Sequence, residues 1–147
     1  MTEALTETQK ADLAAISGCI IPASERYRVP GADDPAIQAD LLATLGRDRA
    51  AVLRALEQLE PLAGGPFSAL PVDRRIAIAQ QFRSAGGPAV ATLARVVLQT
   101  YYRDDRVVRS LGLEARAPFP RGHVLEDGDW TLLDPVKARA PMWDRRP

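Results

Sequence analysis

The feature that most constrains the fold is the stretch 88–112, whose first half is the most apolar helical run in the chain. Pro88 follows a pair of glycines and occupies the first helical turn, where proline is tolerated. The run is apolar on nearly every side, which is typical of a helix in the middle of a domain. Asp104 or Asp105 can then cap a short second helix that Gly112 ends. We therefore predict that this helix, turn and helix form a hub around which earlier helices pack.

The charge balance and composition exclude several classes of protein. The chain has 19 Lys+Arg and 19 Asp+Glu and no net charge, which argues against a general binder of nucleic acid or of anionic membranes. Its unbroken apolar stretches are short, so we expect no membrane insertion. A single cysteine excludes an internal disulfide. The first residues carry neither an apolar signal-peptide core nor an Arg-Arg pair, and we expect a cytoplasmic protein.

Helical periodicity runs through the first part of the chain. Residues 5–21 form the first predicted helix, and Thr6 with Gln9 has the spacing of a capping box. Residues 35–60 carry apolar side chains three and four positions apart, and Gly46 favours a split into two helices.

A turn and a further helix precede the predicted hub. Phe67 and Leu70 have the position of anchors in the turn, and residues 71–83 form the helix, with Ile76 and Phe82 expected to face the core. Strand signals are scarce, because no alternation of apolar and polar residues is longer than about four positions. The sequence therefore predicts an all-α fold, a small helical bundle with an extended and mostly irregular C-terminal arm.

The predicted arm is 113–147, which follows a helical domain at 1–112. It has several prolines and no helical period, so it cannot form a core of its own. Its aromatic content is too high for a solvated linker. It therefore needs a surface, either its own helical body or another protein. Its apolar and aromatic residues include Phe119, His123, Val124, Leu125, Trp130, Leu132, Leu133, Met142 and Trp143.

Few residues offer catalytic chemistry. His123 is the only histidine, so a Ser–His–Asp or Cys–His arrangement would have to use it. No nucleophile elbow accompanies it, and a hydrogen-bonded or interface histidine is the simpler interpretation. The acidic residues of 126–134 lack the spacing of a calcium loop, and zinc would need more Cys or His. Cys19 lies among apolar neighbours and is expected to be an inert thiol. We predict no catalytic, cofactor-binding or metal-binding residue on this chain.

Three motifs, in this order, resemble the gluconate 2-dehydrogenase subunit 3 family, and the likeness spans 5–112. The opening helix of that family often ends in a Leu-Ile-Pro-Ala type sequence, a phenylalanine turn lies mid-chain, and an aromatic–Asp–Pro segment comes late. The matching motifs here are Leu13-Ala14-Ala15-Ile16 running into Ile20-Ile21-Pro22-Ala23, then Phe67-Ser68-Ala69-Leu70, and Thr100-Tyr101-Tyr102-Arg103-Asp104-Asp105-Arg106-Val107 followed by Leu111-Gly112. Asp105 stands where a proline is common, and the twin-arginine leader of many members is not seen.

The resemblance implies a non-catalytic small subunit of a flavin-dependent oxidoreductase of the glucose–methanol–choline type. FAD and the substrate chemistry would then belong to the large subunit, with no cofactor on this chain. The small subunit would stabilise or mature its partner in a hetero-oligomer. Aromatic residues most often anchor such contacts. The expected partner-binding residues are Tyr101, Tyr102, Phe119, His123, Trp130 and Trp143.

Two alternatives from other classes remain open. The first is a stand-alone enzyme that uses His123 with Asp127 or Asp129 as acid and base. The second is a helical adaptor or regulatory protein that binds an unrelated partner.

Overall fold

The computed structural model describes residues 4–117, 119–122, 124 and 126–139. Within these residues the fold is all-α, as predicted, and β-structure is limited to an isolated bridge between Ser24 and Val29. The chain divides into two compact units, Met1–Ala115 and Arg116–Pro147. The helices are α1 (Glu7–Ile20), α2 (Pro35–Thr44), α3 (Arg49–Ala63), α4 (Val72–Ala85), α5 (Pro88–Tyr101), α6 (Asp105–Ser110) and α7 (Asp134–Lys137). No helix in the described part of the chain is long and apolar enough to cross a membrane.

Side-chain capping at Thr6 determines where the first helix begins. The Thr6 hydroxyl accepts from the Gln9 N–H at 3.2 Å, and the Thr6 N–H donates to Gln9 Oε1 at 2.9 Å. This confirms the predicted capping box, in which each side chain accepts a hydrogen bond from the backbone N–H of the other residue at the start of α1.

The long periodic segment is split in two, as Gly46 indicated. Asp34 caps α2 by accepting from the N–H groups of Ala36 and Ile37, and Pro35 occupies the first helical position. At Gly46 the backbone has φ +45°, a left-handed conformation that favours glycine, and a single 3₁₀ turn connects α2 to α3.

The core of the first unit lies around α5 and α3. Helix α5 packs against α1, α2 and α3, while α3 also contacts α1 and α4, so the two helices share the central position. Earlier helices therefore pack around α5, as expected, but α3 is equally central. The buried residues of α5 form one stripe, and Leu98 is 41% exposed, so α5 is one-sided rather than apolar all round. The stripe consists of Ala89, Leu93, Val96, Val97, Thr100 and Tyr101.

The turn before α4 is anchored as expected. Phe67 is fully buried in a short 3₁₀ turn, Phe67–Ala69. The next residue, Ser68, donates from its backbone N–H and from its hydroxyl to one carboxylate oxygen of Asp12, at 2.8 and 2.6 Å. Asp12 of α1 therefore fixes this turn against the first helix.

Helix α4 differs from its prediction on one face. Ile78 and Phe82 are buried, but Ile76 is 47% exposed and does not face the core. The reason is geometric, since residues two positions apart lie about 200° apart around a helix. A helix that buries Ile78 therefore directs Ile76 to another side.

The second unit contains a short helical segment that the sequence analysis did not predict. A 3₁₀ turn, Trp130–Leu133, leads directly into α7. The Asp129 carboxylate accepts from the Thr131 N–H at 3.0 Å and so caps the turn. Pro135 then occupies the first turn of α7, where its missing N–H costs nothing.

Candidate functional site

Tyr101 and Tyr102, both predicted to bind a partner, have different environments. Tyr101 is buried, and its hydroxyl donates to the Pro30 carbonyl at 3.1 Å. Burial raises the pKa of this phenol, and the charges of Tyr102 and Asp104 act in the same direction. Tyr102 is 54% exposed and meets the Tyr101 ring edge to face, with ring centres 5.3 Å apart. Tyr101 thus serves the core, whereas Tyr102 presents a ring at the surface.

An ion-pair cluster surrounds the start of α6. The guanidinium of Arg106 contacts Asp34, which caps α2, at 2.8 Å, and Asp104, which caps α6, at 2.9 Å. Hydrogen bonds from Arg106 are the main cause of a lowered pKa at both carboxyl groups, and they raise the pKa of the guanidinium itself. Both acids are therefore held ionised in structural roles rather than as proton donors.

A second arginine ties the end of α5 to α2. Arg103 donates twice to one carboxylate oxygen of Asp40, at 2.6 and 3.0 Å, and also to the Thr44 hydroxyl at 3.0 Å. Together with the cluster of Arg106, this contact places the motif that includes Tyr101 and Tyr102 firmly on α2. The polar residues of this motif therefore position helices.

The described residues of the second unit expose large apolar side chains and include no buried residue. Every described residue from 116 to 139 is exposed. Phe119 is 85% and Trp130 71% exposed, so both predicted anchors have accessible rings. Other exposed apolar residues of this unit are Val124, Leu132, Leu133 and Val136. We call Phe119, Val124, Trp130, Leu132, Leu133 and Val136 the C-terminal apolar surface.

Two further predicted partner-binding residues, His123 and Trp143, lie outside the described residues. Asp129, one of the two acids named as a possible partner of His123, bonds to a neighbouring residue. Its carboxylate accepts from the Thr131 hydroxyl at 2.6 Å as well as from the Thr131 N–H, and these bonds lower its pKa. Among the described residues, no group of three His, Cys, Asp or Glu side chains is arranged to hold a metal ion.

An apolar groove that the sequence analysis missed lies between α1, α4 and α5. One cavity of about 420 Å³ is lined by side chains of all three helices. A cavity of about 420 Å³ adjoins it and shares Cys19 and Ile76 with it. We call both cavities together the α1–α4–α5 groove. The sequence of α4 contained an indication of this groove, because its apolar residues lie on more sides of the helix than a single buried stripe requires.

The environment of Cys19 sets its reactivity. Burial raises the pKa of this thiol, the nearby charge of Arg75 lowers it, and that of Asp33 raises it. The net shift is upward, so little reactive thiolate forms near neutral pH. Cys19 therefore lines the groove as a partly buried apolar side chain.

The described residues thus offer two apolar surfaces, the C-terminal apolar surface and the α1–α4–α5 groove, together with acids and arginines that hold helices in place. Exposed apolar area of this kind is typical of surfaces that bind other molecules. Comparison of the chain with known protein families, with characterised proteins and with solved structures finds no match.

Proposed function

We propose that this chain is a non-catalytic small subunit that binds and stabilises an FAD-dependent sugar or alcohol dehydrogenase subunit. Two observations support the proposal. The order of the three motifs over 5–112 resembles small subunits of such complexes, and the second unit exposes aromatic and aliphatic side chains that a partner would cover.

The C-terminal apolar surface is the observation on which the proposal mainly depends. Burial of a large apolar side chain contributes roughly 1.5–3 kcal/mol, and Phe119 and Trp130 both have most of that area available. Ordering the segment and immobilising both molecules cost part of this gain. A few such anchors in one segment are nevertheless enough to fix a partner, because a small number of aromatic residues carries most of the energy in typical interfaces.

The acidic residues that form contacts in the first unit have structural roles, which agrees with a non-catalytic subunit. Asp34 and Asp104 form ion pairs with Arg106, and Asp12 holds the turn at Ser68. In the proposed complex, the partner binds FAD and substrate, while this chain provides binding surface and stability.

A helical adaptor for an unrelated protein is the second candidate, since exposure of Phe119 and Trp130 does not depend on what the partner carries. Flavin content of the purified complex separates the two functions. An unrelated partner without flavin would support the adaptor and exclude the dehydrogenase subunit.

Co-expression with the neighbouring gene tests the proposal, which requires that gene to encode a large dehydrogenase with a Gly-rich dinucleotide-binding start. We expect the two chains to co-purify with bound FAD. The double variant Phe119→Ser/Trp130→Ser should lower the affinity at least about tenfold, since tenfold corresponds to about 1.4 kcal/mol. Tyr27→Ser is the matched control, because Tyr27 is 63% exposed but belongs to a loop of the first unit.

Deletion of 116–147 gives a second variant that leaves the core intact, because all the described buried residues lie between Leu5 and Val107. We expect the shortened chain to fold and to lose most of its affinity. Equal co-purification of the full-length and shortened chains, with equal flavin content, would contradict the role of the C-terminal apolar surface. Absence of any complex would contradict the proposed function itself.

A further inference from the structure

The outer side of α4 carries exposed apolar residues beside the α1–α4–α5 groove. Val72 and Ile76 are 59% and 47% exposed and lie one helical turn apart. Val72 and Ile76 both line the groove. The groove is therefore a continuous apolar surface that begins inside the bundle and reaches solvent along α4.

The groove has a defined depth as well as an exposed rim. Leu93 of α5 and Ile16 of α1 line one cavity and are almost fully buried, while Ile76 lines both cavities. Each cavity has a volume in the range that accommodates bulky side chains or a small molecule. Two such adjoining recesses suit two apolar anchors from one incoming element.

The charges at the groove favour an acidic occupant. Arg83 lines one cavity, and Arg75 lines the other together with Asp33. The Nε atom of Arg75 is buried and has no hydrogen-bond partner. Neither arginine takes part in an ion pair among the described residues. A carboxylate from a partner would supply a charge of opposite sign beside either guanidinium group.

We propose that the α1–α4–α5 groove is a second docking site for the catalytic partner and receives an amphipathic, acidic helix of that protein. Arg75 and Arg83 are eight positions apart, which separates their Cα atoms by about 12 Å along α4. Carboxylates about two turns apart on the incoming helix would match this distance, with its apolar face in the two cavities. The inference rests on the proposed function and adds the place and the chemistry of a contact on the first unit.

The single cysteine of the chain provides a direct reporter, because Cys19 lines both cavities. The experiment measures alkylation of Cys19 by iodoacetamide, followed by mass spectrometry of its peptide, for the full-length chain alone and in the purified complex. Mildly alkaline buffer is used because burial raises the pKa of this thiol. We expect alkylation to slow at least about tenfold in the complex, because thiol reactivity follows exposure.

The matched control moves the thiol away from the groove. Gln58 is exposed on α3, so the variant Cys19→Ser/Gln58→Cys carries a reporter on another face. Its alkylation should change less than about twofold on complex formation, since exposure at that position is unaltered.

Charge reversal tests the expected acidic character of the partner helix. Arg75→Glu/Arg83→Glu should weaken the complex at least about tenfold, because two attractive contacts become repulsive. The control Arg47→Glu/Arg54→Glu reverses two exposed arginines outside the groove and should have less than about a twofold effect. Arg83→Glu alone, at an exposed position, gives the same direction of change if the double variant is unstable.

Each other outcome overturns the inference. A complex that forms without slowing the alkylation of Cys19 leaves the proposed function intact and removes the second docking site. No complex at all removes both. Protection of Cys19 in the isolated chain that grows with concentration identifies a second copy as the occupant. Faster alkylation after deletion of 116–147 identifies the chain's own C-terminal segment.

Discussion

Replacement of Arg106 by glutamine removes the charge that joins two helix caps. In the folded chain this guanidinium contacts Asp34 at 2.8 Å and Asp104 at 2.9 Å, and it donates further hydrogen bonds to both carboxylates. Since Asp34 and Arg106 are 72 positions apart, the contact stabilises the tertiary fold rather than one helix. The substitution therefore tests whether this cluster holds α6 against the start of α2.

The expected cost follows from the exposure of the three side chains. Arg106 is 44% exposed, whereas Asp34 and Asp104 are 22% and 17% exposed, so solvent screens the pairs only in part. Exposed ion pairs contribute about 0.2–1 kcal/mol each, and charge-assisted hydrogen bonds in less exposed places lie at the upper end. We expect Arg106→Gln to lower the free energy of unfolding by about 1–2 kcal/mol at neutral pH.

The dependence on pH has a definite sign. Asp34 and Asp104 have pKa values below their ordinary 3.8 in the folded chain, mainly because Arg106 donates hydrogen bonds to them. Their contribution to stability is therefore complete above pH 3.8 and declines as the pH falls through the lowered folded values. The difference between wild type and Arg106→Gln should shrink in that acidic range.

Urea unfolding, followed by circular dichroism across a pH series, measures both effects. Arg109→Gln is the matched control on the same helix, because Arg109 makes one pair with Asp105 and both side chains are more than 60% exposed. The control should cost about 0.3–0.5 kcal/mol, the usual value for such a pair in a helix. Equal losses in the two variants, or a loss at Arg106 that persists unchanged in acid, would refute this reasoning.

Two substitutions test the core of the first unit, and a third, in the second unit, is the control. Phe67→Ala should lower the free energy of unfolding by about 3–5 kcal/mol, because this ring is fully buried, whereas Phe119→Ala, at an 85% exposed position, should change it by less than about 0.5 kcal/mol. Tyr101→Phe should cost about 0.5–1.5 kcal/mol through loss of the hydrogen bond to the Pro30 carbonyl. Urea unfolding measures all three, and similar losses in the two phenylalanine variants would contradict the placement of Phe67 in the core.

The sequence predicted those parts of the fold that depend on neighbouring residues. The capping box at Thr6 and Gln9, the cap at Asp104 and the break at Gly46 all use contacts within a few positions. Such contacts can be read directly from the order of residues, because the side chain and the backbone group it satisfies are close in the chain.

Which side of each helix faces solvent depended on packing and was less predictable. Ile76 and Leu98 are as apolar as their buried neighbours, yet no adjacent helix covers them completely. Asp34, which pairs with Arg106, is 72 positions away in the sequence. No local pattern distinguishes this pair from the other combinations of arginine and acidic residue. The groove was missed for the same reason, since it is formed by three helices that no local pattern places together.

In the second unit, a local signal was present but short. Asp129 followed by Thr131 has the spacing of a cap, and Pro135 suits the first turn of a helix, yet the helix itself has only four residues. A window wide enough to detect helical period averages such a segment with its irregular neighbours. The role as a dehydrogenase small subunit remains a prediction, and so do the partner-binding roles of all six residues proposed for it.

The central claim is that a partner protein covers the C-terminal apolar surface. The chain has two tryptophans, Trp130 and Trp143, and both lie in the second unit, so 5-fluorotryptophan labelling followed by ¹⁹F NMR reports on this unit alone. Trp143→Phe assigns the signals, and an unlabelled catalytic partner is then added. We expect the Trp130 signal to shift and to lose its sensitivity to solvent isotope in the complex. A Trp130 signal that remains unchanged and solvent-exposed in the saturated complex would contradict the claim.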